Sequence, residues 1–182
     1  MGLDQLNSAL ARGDWQSAQA ILAPLTQGAG AHPSLIYNHG KVLMELGRHA
    51  EAIDCFTRSL TSAPDHAAAW FELGRAAVEV GDMATALTGF DHALTLDPSD
   101  LDARRNLGRV ALRLGRYEAA RAAWMAVQDD PEARLALYRI ACETGDQEAP
   151  NLRRALLDTH PDRAAVLRAL VRVSKGAIPL NL

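Results

Sequence analysis

Residues 67–100 read AAAWFELGRAAVEVGDMATALTGFDHALTLDPSD, and the spacing of small and bulky side chains in this stretch decides the fold. Its markers are Trp70, Leu73, Gly74, Gly81, Ala86, Phe90, Ala93, Leu94 and Pro98. Moving outward by 34 residues in either direction, the same markers return: Gly40, Gly74 and Gly108; Gly47, Gly81 and Gly115; Ala52, Ala86 and Ala120; the large residues Phe56, Phe90 and Trp124. Pro64 and Pro98 keep the same interval, and Pro131 arrives one residue early. Several independent markers on one period are the mark of a repeat architecture, in which each unit buries its apolar face on its neighbours.

On these residues the chain resembles the tetratricopeptide-repeat family, whose unit of this length is a helix–turn–helix. The resemblance extends over nearly the whole chain and is strongest from Pro33 to about Val127. It implies an all-α fold, a right-handed α-solenoid of about five helix pairs plus a C-terminal capping helix. The 182 residues form one domain on this reading, with units at about 1–32, 33–66, 67–100, 101–130 and 131–160, a capping helix at 161–175 and a tail at 176–182.

Physical chemistry gives each marker a task. Gly40, Gly74 and Gly108, with the alanines at 52, 86 and 120, are small enough for two helices to approach closely. Gly47, Gly81 and Gly115 end the first helix of a unit, where a left-handed backbone is needed. Asp82 offers an N-cap to the helix that follows. The aromatic residue is expected to fill space against the following unit. The flanks are less regular. Gly13-Asp14 and Gly145-Asp146 mark turns, the step from Gly115 to Gly145 is 30, and Pro150 starts a shortened second helix. The last helix, about 162–174, is expected to cap the stack, with Arg163, Arg168 and Arg172 on its outer face. The apolar ending either folds back onto the solenoid or belongs to a module whose natural chain continues.

Within the family, the first helix of each unit lines a concave groove that holds a partner segment. The resemblance therefore places Tyr37, Asn38 and Lys41, then Phe71, Glu72 and Arg75, then Arg105, Asn106, Arg109 and Arg113, then Arg139 in a peptide-binding groove. Lys41, Arg75, Arg109 and Arg139 form a column of cations suited to carboxylates, which arginine grips with paired hydrogen bonds. The alternative is solvated charge, partly paired with Glu45, Glu79 and Glu143 four residues further on. Asn38, Glu72 and Asn106 form a second column. Asparagines recur at this place in relatives that hold extended peptides, such as the O-linked N-acetylglucosamine transferases, and Glu72 interrupts that run. The two-carboxylate clamp of chaperone-binding relatives is not matched. Its places hold Tyr37, Lys41, Glu72, Asp102 and Asn106 on one register, or Phe71, Arg75, Asn106, Glu132 and Ala136 on the next. Tyr37 and Phe71 are candidate anchors for an apolar side chain.

The remaining composition narrows the function classes. Net charge is −3, against a dedicated nucleic-acid binder. The charge is polarised: residues 1–100 hold 5 Lys/Arg and 12 Asp/Glu, and residues 101–182 hold 14 and 10. No apolar run approaches the roughly 18 residues of a membrane span, and the N-terminus lacks a secretory pattern, so a cytoplasmic location is expected. Cys55 and Cys142 have no metal-ligand or disulfide spacing and read as two small buried hydrophobes. No phosphate-binding loop, nucleophile elbow or histidine cluster is present. His39 occupies a normally apolar packing place. Neither metal nor cofactor nor catalysis is expected. Arginine outnumbers lysine heavily, Lys41 and Lys175 being the only lysines, a bias associated with bacterial coding. The leading expectation is a protein-interaction scaffold for an extended or helical segment bearing acidic groups. The alternatives are a recruiting module of a larger bacterial enzyme, such as a glycosyltransferase or sulfotransferase, and self-association through an end of the stack.

Overall fold

The structure, a computed structural model, describes residues 2–28 and 30–174; the expected tail at 176–182 lies outside them. These residues form eleven helices and no strand: α1 (Gly2–Ala11), α2 (Trp15–Thr26), α3 (Pro33–Glu45), α4 (His49–Ser62), α5 (Ala67–Val80), α6 (Met83–Leu96), α7 (Leu101–Arg113), α8 (Tyr117–Met125), α9 (Pro131–Thr144), α10 (Ala149–Thr159) and α11 (Arg163–Ser174). The chain divides after Ala103 into two compact units.

The first unit is a run of helix pairs in which every helix packs on the next, and α3 also packs directly on α5. The turn between α5 and α6 shows how the sequence ends one helix and starts another. Gly81 has φ +81°, a conformation closed to most side chains, and its N–H and that of Asp82 return to the carbonyls of Val78 and Ala77. The Asp82 carboxylate then accepts from the Thr85 N–H at 3.1 Å and caps α6. Glycine takes a positive φ at each corresponding turn, at 13, 47, 115 and 145.

Recurrent glycines and aromatics meet inside one pair. A Cβ at Gly40 would lie 2.6 Å from the Phe56 ring, one at Gly74 2.8 Å from the Phe90 ring, and one at Gly108 2.5 Å from the Trp124 indole. The aromatic residue thus covers the glycine of its own pair, which the expected packing against the following unit did not include. Phe56 does both, since its cluster also holds Ala69, Leu73 and Ala76 of α5. Between α5 and α6 the approach is closer still. A Cβ at Gly89 would lie 2.7 Å from the Gly74 nitrogen and 2.8 Å from the Trp70 carbonyl oxygen, so the two backbones touch.

His39 is buried on α3, as its packing position implies. Its Nδ1 lies 2.7 Å from Thr26 Oγ1, tying α3 to α2, while the Thr26 hydroxyl donates to the Leu22 carbonyl. Of the two thiols, Cys55 is buried and Cys142 only half-buried.

In the second unit α9 is central: α8, α10 and α11 all pack on it. Pro131 opens α9 and Pro150 sits in the first turn of α10, the permitted place for a residue without an N–H. The α11 helix starts where Asp162 accepts from the Ala165 N–H, and it buries Val166, Leu170 and Val173 against Tyr138 and Leu156.

Candidate functional site

Two groupings of the sequence-selected residues emerge, one in each unit. In the first, the packing of α3 on α5 brings Lys41 to Glu72, which Arg75 reaches from the next turn of α5 itself. The Glu72 side chain is only 6% exposed. Its Oε1 accepts from Lys41 Nζ at 2.5 Å and its Oε2 from Arg75 Nη1 at 2.9 Å. Each carboxylate oxygen has its own cation, which offsets the cost of removing the charge from water. The cations stay wet, Lys41 at 40% and Arg75 at 47% exposure. Glu72, not Glu45 or Glu79 on the following turns, is therefore the partner of both. What interrupts an asparagine column is the counter-ion of the cation column.

Aromatic rings flank this triad. Tyr37 is half-buried, its ring 4.7 Å from that of His66 and 5.9 Å from that of Phe56. Burial pushes its phenol above the ordinary tyrosine range, with Lys41 pulling the other way. Phe71 is also half-buried and meets Phe90 edge-on at 5.7 Å. Asn38 is half-buried on α3 beside them. Cation, aromatic and amide side chains thus share one surface of α3 and α5, with part of each open to solvent.

In the second unit the arginines of α7 reach forward to α9. Arg105 Nε donates to Asp130 Oδ2 at 2.8 Å, and Asp130 also caps α9 through the Glu132 N–H. The hydrogen bond from Arg105 holds the Asp130 carboxyl below the usual carboxylate range. Arg109 forks onto Glu132 through Nε at 2.7 Å and Nη2 at 2.5 Å, and its Nη1 donates to Asn106 Oδ1 at 2.9 Å. Arg113 is exposed in the last turn of α7.

Arg139 is different. It makes no pair with Glu143, and its Nε is buried with no acceptor. It lines a cavity of about 370 Å³ bounded by α7, α9 and α11, together with Arg109, Glu132, Arg168 and Arg172. The cavity's apolar surface comes from Leu112, Trp124, Leu135, Ala136, Ala165 and Ala169. Trp124 is 1% exposed, and its indole N–H also lacks an acceptor. Arg168 and Arg172, expected on the outer face of the last helix, are exposed and also line this cavity. With Val166, Leu170 and Val173 turned to the core, Arg168 falls opposite them and Ala165, Ala169 and Arg172 fall on the flank. Arg163 is exposed.

A cavity of about 510 Å³ lies beside Tyr138, Cys142, Arg153 and Arg154 on α9 and α10. Burial raises the Tyr138 phenol to about 12, so it stays protonated at neutral pH. Among the described residues, no group of three His, Cys, Asp or Glu is placed to hold a metal ion, and no helix is long and apolar enough to cross a membrane.

Comparison with known proteins agrees with this architecture. The crystal structure of MamA superposes with a TM-score of 0.73 at 16% identity, covering 100% of this chain and 94% of that one. YrrB, described as a tetratricopeptide-repeat protein with an unusual peptide-binding site, gives 0.77 at 20% identity over 91% and 88%. A tetratricopeptide-repeat protein of Parabacteroides merdae gives 0.75 at 17% identity over 96% and 72%. At these identities the likeness concerns the fold. No curated protein sequence matches. The family profile described as tetratricopeptide repeat matches residues 37–100 and 73–134, more than half of the chain. With helix pairs from α1 to α10 and this profile over its regular core, the chain is an all-α solenoid that belongs to the tetratricopeptide-repeat family.

Proposed function

We propose that this chain is a non-enzymatic scaffold that binds another protein through an extended or helical segment bearing acidic groups. The observation that carries the reading is the state of the cations on the first helix of each pair. Lys41 and Arg75 keep about half their surface in solvent beside Tyr37 and Phe71. Their charges exceed that of the single carboxylate that holds them. Such a surface offers a partner an apolar anchor and a charge-assisted hydrogen bond at neighbouring points. The peptide-binding site in the description of YrrB, a protein of the same fold, supports the same reading.

A random peptide library selected on the wild-type chain tests it. Recovered peptides should be enriched in Asp and Glu. They should bind an Arg75→Glu, Arg109→Glu variant at least about tenfold more weakly, the loss of roughly one charge-assisted hydrogen bond. An Arg75→Gln, Arg109→Gln variant with an unchanged melting curve controls for repulsion from Glu72 and Glu132. Neutral consensus peptides that bind all three proteins equally would remove the acidic partner, and a selection that yields no binder would remove the scaffold.

A further inference from the structure

We infer that the cavity between α7, α9 and α11 is a docking site for an Asp or Glu side chain flanked by an aliphatic residue on a partner segment. This rests on the scaffold reading and locates one of its contacts. Three observations converge on the cavity. The first is charge. Among the described residues four arginines line it, with Glu132 as the one carboxylate, and both oxygens of Glu132 are taken by Arg109. Arg168 stands 3.8 Å from Asp162 with 71% of its side chain exposed, and Arg139 and Arg172 have no ion-pair partner among the described residues. The lining therefore carries uncompensated positive charge.

The second is hydrogen-bonding capacity. Arg139 lines the cavity beside Arg168 and Arg172, whose side chains are exposed. Arg139 Nε and Trp124 Nε1 are themselves buried without acceptors, the Trp124 nitrogen packed over Gly108. The exposed guanidinium N–H groups are the donors that a ligand bringing acceptors would meet.

The third is the apolar floor. Leu112, Leu135, Ala136 and Ala165 offer methyl groups, not hydrogen bonds. The volume, about 370 Å³, is at the small end of the range of about 300–1,000 Å³ for ligand sites. That suits side chains of a segment rather than a whole helix. Guanidinium forks suit a carboxylate and a phosphate alike, but only a carboxylate carried beside an aliphatic side chain also covers the apolar lining.

The Trp124 indole N–H is a built-in reporter. Nitrogen–proton correlation spectra of the intact chain show three indole signals, from Trp15, Trp70 and Trp124, and Trp124→Phe assigns the third. Titration with acetyl-Leu-Glu-Leu-amide is expected to shift the Trp124 signal and leave those of Trp15 and Trp70 in place. Acetyl-Leu-Gln-Leu-amide should shift it at least about tenfold less at equal concentration. Arg139→Gln with Arg172→Gln should abolish the response, and Arg168→Gln with Arg172→Gln, both on exposed side chains, should weaken it without disturbing the fold. An equal response to the Gln peptide, an equal response to inorganic phosphate, or an undiminished response in the arginine variants would overturn the inference. If library-selected peptides bind the Arg139→Gln, Arg172→Gln variant as tightly as wild type, this site fails while the scaffold stands. If the library yields no binder and the Trp124 signal still responds, the scaffold fails while the cavity stands.

Discussion

The two units of the chain handle positive charge in opposite ways. Around α3 and α5, two cations converge on one carboxylate that is almost wholly buried, Glu72. Around α7 and α9, Arg105 and Arg109 each have a separate acidic partner, Asp130 or Glu132, and the Arg109–Glu132 pair is close to half exposed on both sides. Further along the same unit, Arg139 and Arg172 have no ion-pair partner among the described residues and line a cavity. The first arrangement makes charge a structural cross-link between pairs. The second leaves charge over for something else. The difference follows the repeat: Glu72 occupies a place that the neighbouring pairs fill with asparagine, whereas Arg139 comes after the shortened 30-residue step from Gly115 and lines a cavity that the closing helix α11 helps to bound.

The comparison can be broken experimentally, and the most severe test is Trp124→Ala. Removing this buried indole from its place over Gly108 should cost about 3–5 kcal/mol in urea unfolding. Hydrogen exchange should accelerate in α8–α11 and leave α3–α6 protected. A uniform loss of protection would show that the two units share one stability and that contrasting them is mistaken.

A milder test sets Glu72→Ala against Glu132→Ala. Glu72 loses two hydrogen bonds in a buried position, but Lys41 and Arg75 can turn to solvent, so about 1–3 kcal/mol is expected rather than the larger penalty for stranding a buried charge. Glu132 is exposed, and its loss should cost less than about 1 kcal/mol. Equal costs in chemical denaturation would deny that the first unit uses charge structurally.

The smallest expected effect concerns His39. With the Thr26 hydroxyl committed to Leu22, Nδ1–H donates to Thr26 and the buried Nε2 is left bare. Burial holds the imidazole below its ordinary range; Arg48 and Arg58 add to this and Glu51 opposes it. The unfolded chain therefore takes up the proton more readily. The stabilisation is complete above about pH 6.5 and declines as the pH falls below it. Thermal melts from pH 7.5 down to 5 should show a steeper fall for wild type than for His39→Gln, and parallel curves would exclude His39 as the cause.

The markers of the repeat made most of the fold legible. Gly81 needed a positive φ, Asp82 needed a helix to cap, and both are found where the spacing put them. The aromatic residues were harder to read. Phe90 is apolar and one helix away from several candidate neighbours, and only coordinates show that its ring lies on Gly74 of its own pair. Glu72 was hidden for another reason. Column-by-column reading compares a position with its equivalents, whereas the partners of this residue lie in a different column: Lys41, 31 residues earlier, and Arg75 on the next turn. The arginines of α11 carried a signal that was not used, since Ala165, Arg168, Ala169 and Arg172 are spaced as one helical stripe. Pairing that stripe with Arg139 on α9 needed the tertiary structure.

Where α5 crosses α6, Gly89 lies against the main chain at Gly74 and Trp70 with no room for a single methyl group. Neither helix can slide or roll there without lifting off the other, so this crossing fixes the angle at which the pair stands. Natural variation along the chain would then be tolerated more freely the farther a position lies from that point. Surfaces can be rewritten freely for new partners, while positions 74 and 89 have an alphabet of one letter.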